Sequence, residues 1–249
     1  MIPTKEPLLH TPAWQQELAR AVTCRRELLR RLGLSAEDAE CSAEQEFPLR
    51  VPEGFISRME PGNPRDPLLL QVLPQRREQL SPPGYHTDPV GDGDALAAPG
   101  LIHKYRGRVL LVASRTCALH CRFCFRRHFP YREAIPHPDR WGSALEYIAA
   151  NPTISEVILS GGDPLTLSDG RLARLAAGLE PIPHLRRIRI HTRLPVVLPS
   201  RVNDALLDWL GQTRLQPVVV IHANHPNEID GEVGHALRRL AAAGIMLLN

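Results

Sequence analysis

Three cysteines stand within eight residues, as Cys117-Ala-Leu-His-Cys121-Arg-Phe-Cys124. Thiolates at this CxxxCxxC spacing converge from one loop, and three of them suit a cubane iron–sulfur cluster whose fourth iron stays open to another ligand. Two other chemistries use the same residues: a zinc ion taking His120 or His128 as its fourth ligand, or a conventional cluster completed by a distant cysteine. Five cysteines in a 249-residue chain, three of them clustered, look like a metal site in a reducing compartment rather than a disulfide framework, with Cys24 and Cys41 as bystanders.

A second motif, Ser160-Gly161-Gly162-Asp163-Pro164-Leu165, closes an apolar run. Glycines there let the backbone come close to a ligand, although the same letters also spell an ordinary strand-to-helix turn. The cysteine loop follows the first strand of a βα series, and Phe123 directly precedes the third cysteine, as in radical S-adenosylmethionine enzymes. That resemblance makes the methionine part of S-adenosylmethionine the ligand of the open iron. It also implies cofactor contacts for Phe123, Gly161, Gly162 and Asp163, because a similar Gly-Gly motif in that superfamily meets the cofactor's aminoacyl group.

The elements that must position these groups are legible from 108 onward. Apolar, β-rich runs at Val109–Ala113, Val157–Leu159, Ile188–Ile190, Val218–Ile221 and Ile245–Leu248 alternate with amphipathic segments at 139–150, 168–179, 203–212 and 231–243, the last stopped by Gly244. That order predicts an α/β fold with parallel strands, and such sheets carry their chemistry at the carboxyl ends of the strands. Upstream, residues 11–33 read as one helix, capped by Thr11, with Pro12 in the first turn, a stripe of Trp14, Leu18, Val22, Leu29 and Leu32, and Gly33 as its stop. Ser35 to Glu46 reads as a weaker helix. Residues 47–100 hold ten of the 24 prolines, so elements there must be short, with turns at Pro61, Pro64 and Pro67. The expected division is a helical and Pro-rich wrap over 1–100 and a barrel over 101–249.

Composition narrows the function. A net charge of +3, from 30 basic and 27 acidic residues, gives no footing for nucleic-acid binding. No apolar run approaches the roughly 20 residues that span a bilayer, and the start of the chain lacks a secretory pattern, so a cytoplasmic location is the expectation.

Longer phrases make the resemblance specific. Arg50-Val-Pro52, Phe55-Ile56, Arg58-Met-Glu-Pro-Gly-Asn-Pro64, Asp66-Pro-Leu-Leu69, His103-Lys-Tyr105, Cys124-Phe-Arg-Arg-His-Phe-Pro-Tyr131, Arg193-Leu-Pro-Val-Val-Leu-Pro199 and Asn224-His-Pro-Asn-Glu228 resemble the lysine 2,3-aminomutase family across nearly the whole chain. Within it they resemble the branch that makes (R)-β-lysine for modifying elongation factor P. The resemblance implies a radical S-adenosylmethionine partial (β/α) barrel with an N-terminal extension, a 4Fe-4S cluster, S-adenosylmethionine and pyridoxal 5'-phosphate. It implies L-lysine as substrate, a 5'-deoxyadenosyl radical that removes hydrogen from C3, a 1,2-amino shift through the pyridoxal, and a homo-oligomer.

Carried over residue by residue, the resemblance gives Tyr105 and Arg108 to the pyridoxal phosphate group and Arg126 to the lysine carboxylate, where a guanidinium pairs well with each anion. His191, Arg193, His222, Asn224 and His225 fall at predicted strand ends, some as cofactor contacts, with ordinary structural roles equally open; Arg127 and Arg132 read as structural or solvent-facing. Family members continue past the position of Asn249 with the lysine that anchors pyridoxal and the acidic residues that bind the substrate ammonium. The expectation is therefore a truncated sequence whose Schiff-base lysine is absent. A catabolic aminomutase, a cofactor-binding remnant and a zinc-binding domain are the other readings.

Overall fold

The computed structural model describes residues 11–37, 47–80, 83–135 and 141–249. The wrap contains α1 (Ala13–Ala19), α2 (Arg25–Arg31), α3 (Glu53–Ile56) and a strand, β1 (Leu96–Ala98). Then come β2 (Leu101–Tyr105), β3 (Arg108–Ser114), α4 (Tyr131–Ala134), α5 (Gly142–Ala150), β4 (Glu156–Gly161), α6 (Asp169–Leu179), β5 (Arg187–Thr192), α7 (Leu194–Val197), α8 (Asp204–Gln212), β6 (Gln216–Ile221), α9 (Gly231–Ala242) and β7 (Met246–Leu248). All seven strands form one sheet in sequence order. Strands β3 to β7 run parallel and β1 to β3 antiparallel.

This is a partial (β/α) barrel, and the five apolar runs read from the sequence are its five parallel strands. Alternation assigns their two faces. Val109, Leu111, Ala113, Val157, Leu159, Ile188, Ile190 and Val219 are buried in the main core, together with Leu172, Leu175, Leu206 and Leu240 of the helices. The opposite, inner face carries the register row Leu110, Ile158, Arg189, Val218 and Met246. Side-chain caps start two of the helices: Asn203 Oδ1 accepts from Leu206 N and Asp230 Oδ1 from Val233 N. Gly244, at φ 75°, ends α9 as expected.

The wrap differs from its sequence reading in three places. The single helix over 11–33 is two, because Val22 leaves the helical path to make a two-way backbone bridge with Val51, at 2.8 and 2.9 Å. Pro12, rather than Thr11, occupies the cap position of α1, with no side-chain cap bond. The antiparallel hairpin of β1 and β2 on the edge of the sheet was not foreseen. Of the helix expected over 35–46, residues 35–37 are not helical, with a turn at 36–37, and the rest lies outside the described residues, as do Cys41 and the first residues of the segment expected at 139–150. Pro61, Pro64 and Pro67 do sit in turns. Among the described residues no helix is long and apolar enough to cross a membrane.

One apolar core runs through wrap and barrel alike, from Trp14, Leu28 and Phe55 to Leu159 and Ile190. Its most demanding member is Arg201, fully buried. Its Nε donates to Leu165 O at 2.7 Å, its Nη2 to Asp169 Oδ1 at 2.7 Å, and its guanidinium lies 4.8 Å from the Trp14 ring. Arg201→Ala strands a carboxylate and a carbonyl and removes the plate under Trp14. We expect a loss of about 3 kcal/mol, read as a lower urea midpoint at unchanged slope.

Candidate active site

The cysteine loop leaves the carboxyl end of β3, and its first residues are clamped against the end of β4. Gly162 N donates to Ser114 O at 2.8 Å, Asp163 N donates to Thr116 O at 2.7 Å, and the Ser114 and Thr166 hydroxyls meet at 2.8 Å. Only glycine fits this clamp. A Cβ on Gly162 would lie 2.3 Å from Thr116 O, and one on Gly161, whose φ is +114°, would lie 2.6 Å from Ser114 O and from the Val112 side chain. The close approach that the sequence assigned to a ligand is thus made first by the cysteine loop's own backbone.

Asp163 has a comparable structural task. Its buried carboxylate accepts from Leu165 N at 3.0 Å, Thr192 Oγ1 at 2.7 Å and Arg193 N at 2.7 Å, tying β4 to the end of β5. Burial pushes its pKa up to about 6 in spite of these bonds.

Cys117, Cys121 and Cys124 are free thiols of intermediate exposure. Burial raises the Cys117 thiol well above its usual value, with further push from Asp163 and the other two thiols; Cys121 is raised by burial against the pull of Arg193. The wrap holds the loop from outside: His120 N donates to Arg50 O at 3.0 Å, Arg122 N to Gln71 O at 2.7 Å and Arg50 Nη1 to Cys117 O at 3.4 Å. Arg122 and Arg127 both pair with Glu78, so Arg127 is structural here.

The donor set suits an anionic cluster. Arg193 Nη1 lies 2.9 Å from Cys121 Sγ, and the buried Arg50 Nε, Arg115 Nε, Arg115 Nη2 and Arg193 Nε have no acceptor among the described residues. Three soft thiols, one already meeting a guanidinium, with unspent guanidinium donors on the same loop and its neighbours, fit a cluster together with a carboxylate-bearing cofactor. A zinc ion needs four donors about 2.0–2.3 Å from one point. Among the described residues no three His, Cys, Asp or Glu groups, the three cysteines included, converge on one point, so the guanidinium donors decide between zinc and cluster, together with His120, whose Nδ1 faces Pro48 O at 3.0 Å.

Arg126, two residues past Cys124, is 7% exposed. Its Nε donates to Asp92 Oδ2 at 2.8 Å, its Nη1 to Ser160 Oγ at 3.1 Å, and it sits 4.6 Å from the Phe125 ring centre. Asp92 also pairs with the half-buried Lys104, so the three together keep one net positive charge. Phe123 meets His222 edge-on at 5.5 Å and the Arg193 guanidinium at 5.8 Å, which places all three at the same mouth. His191, next to last in β5, lies on the inner face with its side chain partly open to solvent; lost hydration first, then Arg189 and Arg126, push its pKa down to about 4.

Other sequence candidates lie apart or are occupied. Tyr105, 67% exposed, and Arg108 flank the β2–β3 turn at the amino end of β3. Seven strand residues, about 20 Å, separate that end from the cysteine loop, so the structure does not bring these two beside the thiols. His225 Nδ1 accepts from Asn227 N at 3.2 Å within a turn. Asn224 Nδ2 donates to Gln71 Oε1 at 3.0 Å and its N to Glu228 Oε1 at 2.9 Å. Sequence reasoning missed Gln71, Asp92, Ser160 and Glu228 as site residues. Ser160 and Glu228 lie inside quoted motifs, Asp92 lies in the Pro-rich stretch over 47–100 expected only to hold short elements, and Gln71 carries no local signal.

Residues 111–242 match the model of the radical SAM superfamily. The chain is 47% identical over 251 residues to an L-lysine 2,3-aminomutase of Haemophilus influenzae, covering 100% of this chain and 74% of that protein. It is 47% identical over 247 residues to an L-lysine 2,3-aminomutase of Escherichia coli strain K12, covering 97% and 72%, and 35% identical over 240 residues to that of Clostridium subterminale, covering 95% and 57%.

Two outcomes test the geometry. Gly162→Ala should cost about 1–3 kcal/mol, because the overpacked clamp must open; a thermal melt matching the parent protein would count against the clamp. The folded state favours neutral His191, so its contribution is intact above pH 6.5 and declines as pH falls toward 4. His191→Gln should flatten that part of the stability curve, and an NMR titration midpoint of His191 near 6.5 would contradict it.

Proposed function

We propose, from the premise that this chain belongs to the L-lysine 2,3-aminomutase family of radical S-adenosylmethionine enzymes, that it binds the cluster, the sulfonium cofactor and the carboxylate of L-lysine in making (R)-β-lysine. Pyridoxal 5'-phosphate is the third cofactor of this reading. When bound, these groups supply one electron, a hydrogen-abstracting radical and a conjugated carrier for the migrating nitrogen.

The observation that carries the proposal is the placement of Cys117, Cys121, Cys124 and Arg126 on a single loop clamped at the carboxyl end of β3. The three cysteines are assigned to the cluster. Phe123, Gly161, Gly162 and Asp163 are assigned to the sulfonium cofactor's side of the mouth, Asp163 through the strand ends that it ties. Arg126 is assigned to the substrate carboxylate. Asp92 holds Arg126 Nε and thereby sets the plane of the guanidinium, while Lys104 offsets the Asp92 charge and keeps the pocket cationic.

Arg108 and Tyr105 are assigned to the pyridoxal phosphate. Arg108 shares the inner face with Leu110, two residues along β3, and a guanidinium there suits a phosphate dianion. The wrap over 1–100 and the barrel over 101–249 act as one body through their common core. The destination of β-lysine, elongation factor P, rests on the resemblance of the wrap and of Phe125-Arg-Arg-His-Phe-Pro-Tyr131.

Anaerobic loading with iron and sulfide should give a 4Fe-4S paramagnetic resonance signal on reduction, altered by S-adenosylmethionine. Bound zinc in its place would overturn the reading. Cys121→Ala should abolish the signal. Arg126→Ala should leave it unchanged while weakening lysine binding about 100-fold, the loss of a charge-assisted bidentate pair.

A further inference from the structure

Arg193 is the guanidinium aimed most directly at the cysteine loop. Its Nη1 donates to Cys121 Sγ at 2.9 Å, while Nη2 donates to Glu228 Oε2 at 2.9 Å and Gln71 Oε1 at 3.0 Å. The group has little freedom to turn away. Its backbone N is tied to Asp163, and the rings of Phe55 and Phe123 lie 5.7 and 5.8 Å from its Cζ.

Glu228, 0% exposed, is itself held in place. Its Oε1 accepts from Gln71 Nε2 at 2.8 Å, Asn224 N at 2.9 Å and His225 N at 3.1 Å. The network draws on the wrap, the end of β5 and the loop after β6, and it delivers one N–H to one sulfur. A buried ion pair needs no thiol to satisfy it. Donors to a ligating sulfur favour the more negative, reduced form of an iron–sulfur cluster and so raise its potential.

We propose that Arg193 is a positioning residue for the cluster: its hydrogen bond to Cys121 Sγ orients that ligand and raises the midpoint potential of the one-electron reduction, and Glu228 and Gln71 aim it. This rests on the reading of the three cysteines as cluster ligands. The electron comes from the reductant, and the reduced cluster carries one more negative charge, which the guanidinium stabilises.

The test is a mediated redox titration of the anaerobically loaded protein, followed by paramagnetic resonance. Arg193→Lys keeps a charge but loses the fork, and the pair Arg193→Gln with Glu228→Gln keeps the net charge while losing the donor geometry. Both should show about a tenfold lower ratio of reduced to oxidised cluster at a fixed poise, a shift of about 59 mV to more negative potential. Glu228→Gln alone, nearly isosteric, removes a compensating anion and should move the midpoint the other way. Loaded variants with unchanged midpoints would reduce Arg193 to a structural ion pair. Failure of all three variants to hold a cluster would overturn the proposal in the same way. A parent protein that loads no cluster would instead sink the reading on which the proposal rests.

Discussion

The site depends on a clamp between two pieces of main chain, Ser114–Thr116 after β3 and Gly161–Asp163 at the end of β4. Parallel strands fix the register between these pieces, with Val112 opposite Ser160 and Ser114 opposite Gly161. The two glycines let the strands close without a side chain between them. The thiols therefore inherit their placement from the sheet rather than from the loop, which on its own would have many conformations to lose. Asp163 extends the same lock to β5, at the cost of burying a carboxylate whose desolvation its hydrogen bonds only partly offset.

Around the clamp, charge is arranged in two groups with different balances. Lys104, Asp92 and Arg126 leave one positive charge beside the inner face, whereas Arg193 and Glu228 cancel each other and leave a directed N–H. Both groups draw a partner from the wrap, Asp92 in one and Gln71 in the other. The Pro-rich segment is therefore part of the site as much as it is cover for the barrel.

Much of this was legible in the sequence because it is local. Five parallel strands announce themselves as apolar runs, the helices between them as amphipathic periods, and the cysteine and Gly-Gly motifs fall where strands end. What escaped is long-range. Val22 breaks a good helical stripe for a pairing with Val51, and the edge strand β1 and its short neighbour β2 carry Leu96-Ala-Ala98 and His103-Lys-Tyr105, which lack a clear alternation. Gln71 and Glu228 meet across the whole fold, and the local turn that Glu228 makes with Asn224 and His225 says nothing of Gln71 or Arg193. Tyr105 and Arg108 lie at the amino end of β3, a position that the family motif does not state.

The clamp also orders events during synthesis. Cys124 leaves the ribosome well before Gly162 and Asp163, and longer still before Arg193 and Glu228. Until those residues emerge, the three thiols belong to an unframed nascent segment with no sheet behind it and no guanidinium beside Cys121. An iron–sulfur cluster delivered at that stage would meet competing geometries, so productive insertion belongs to a chain already translated past β6.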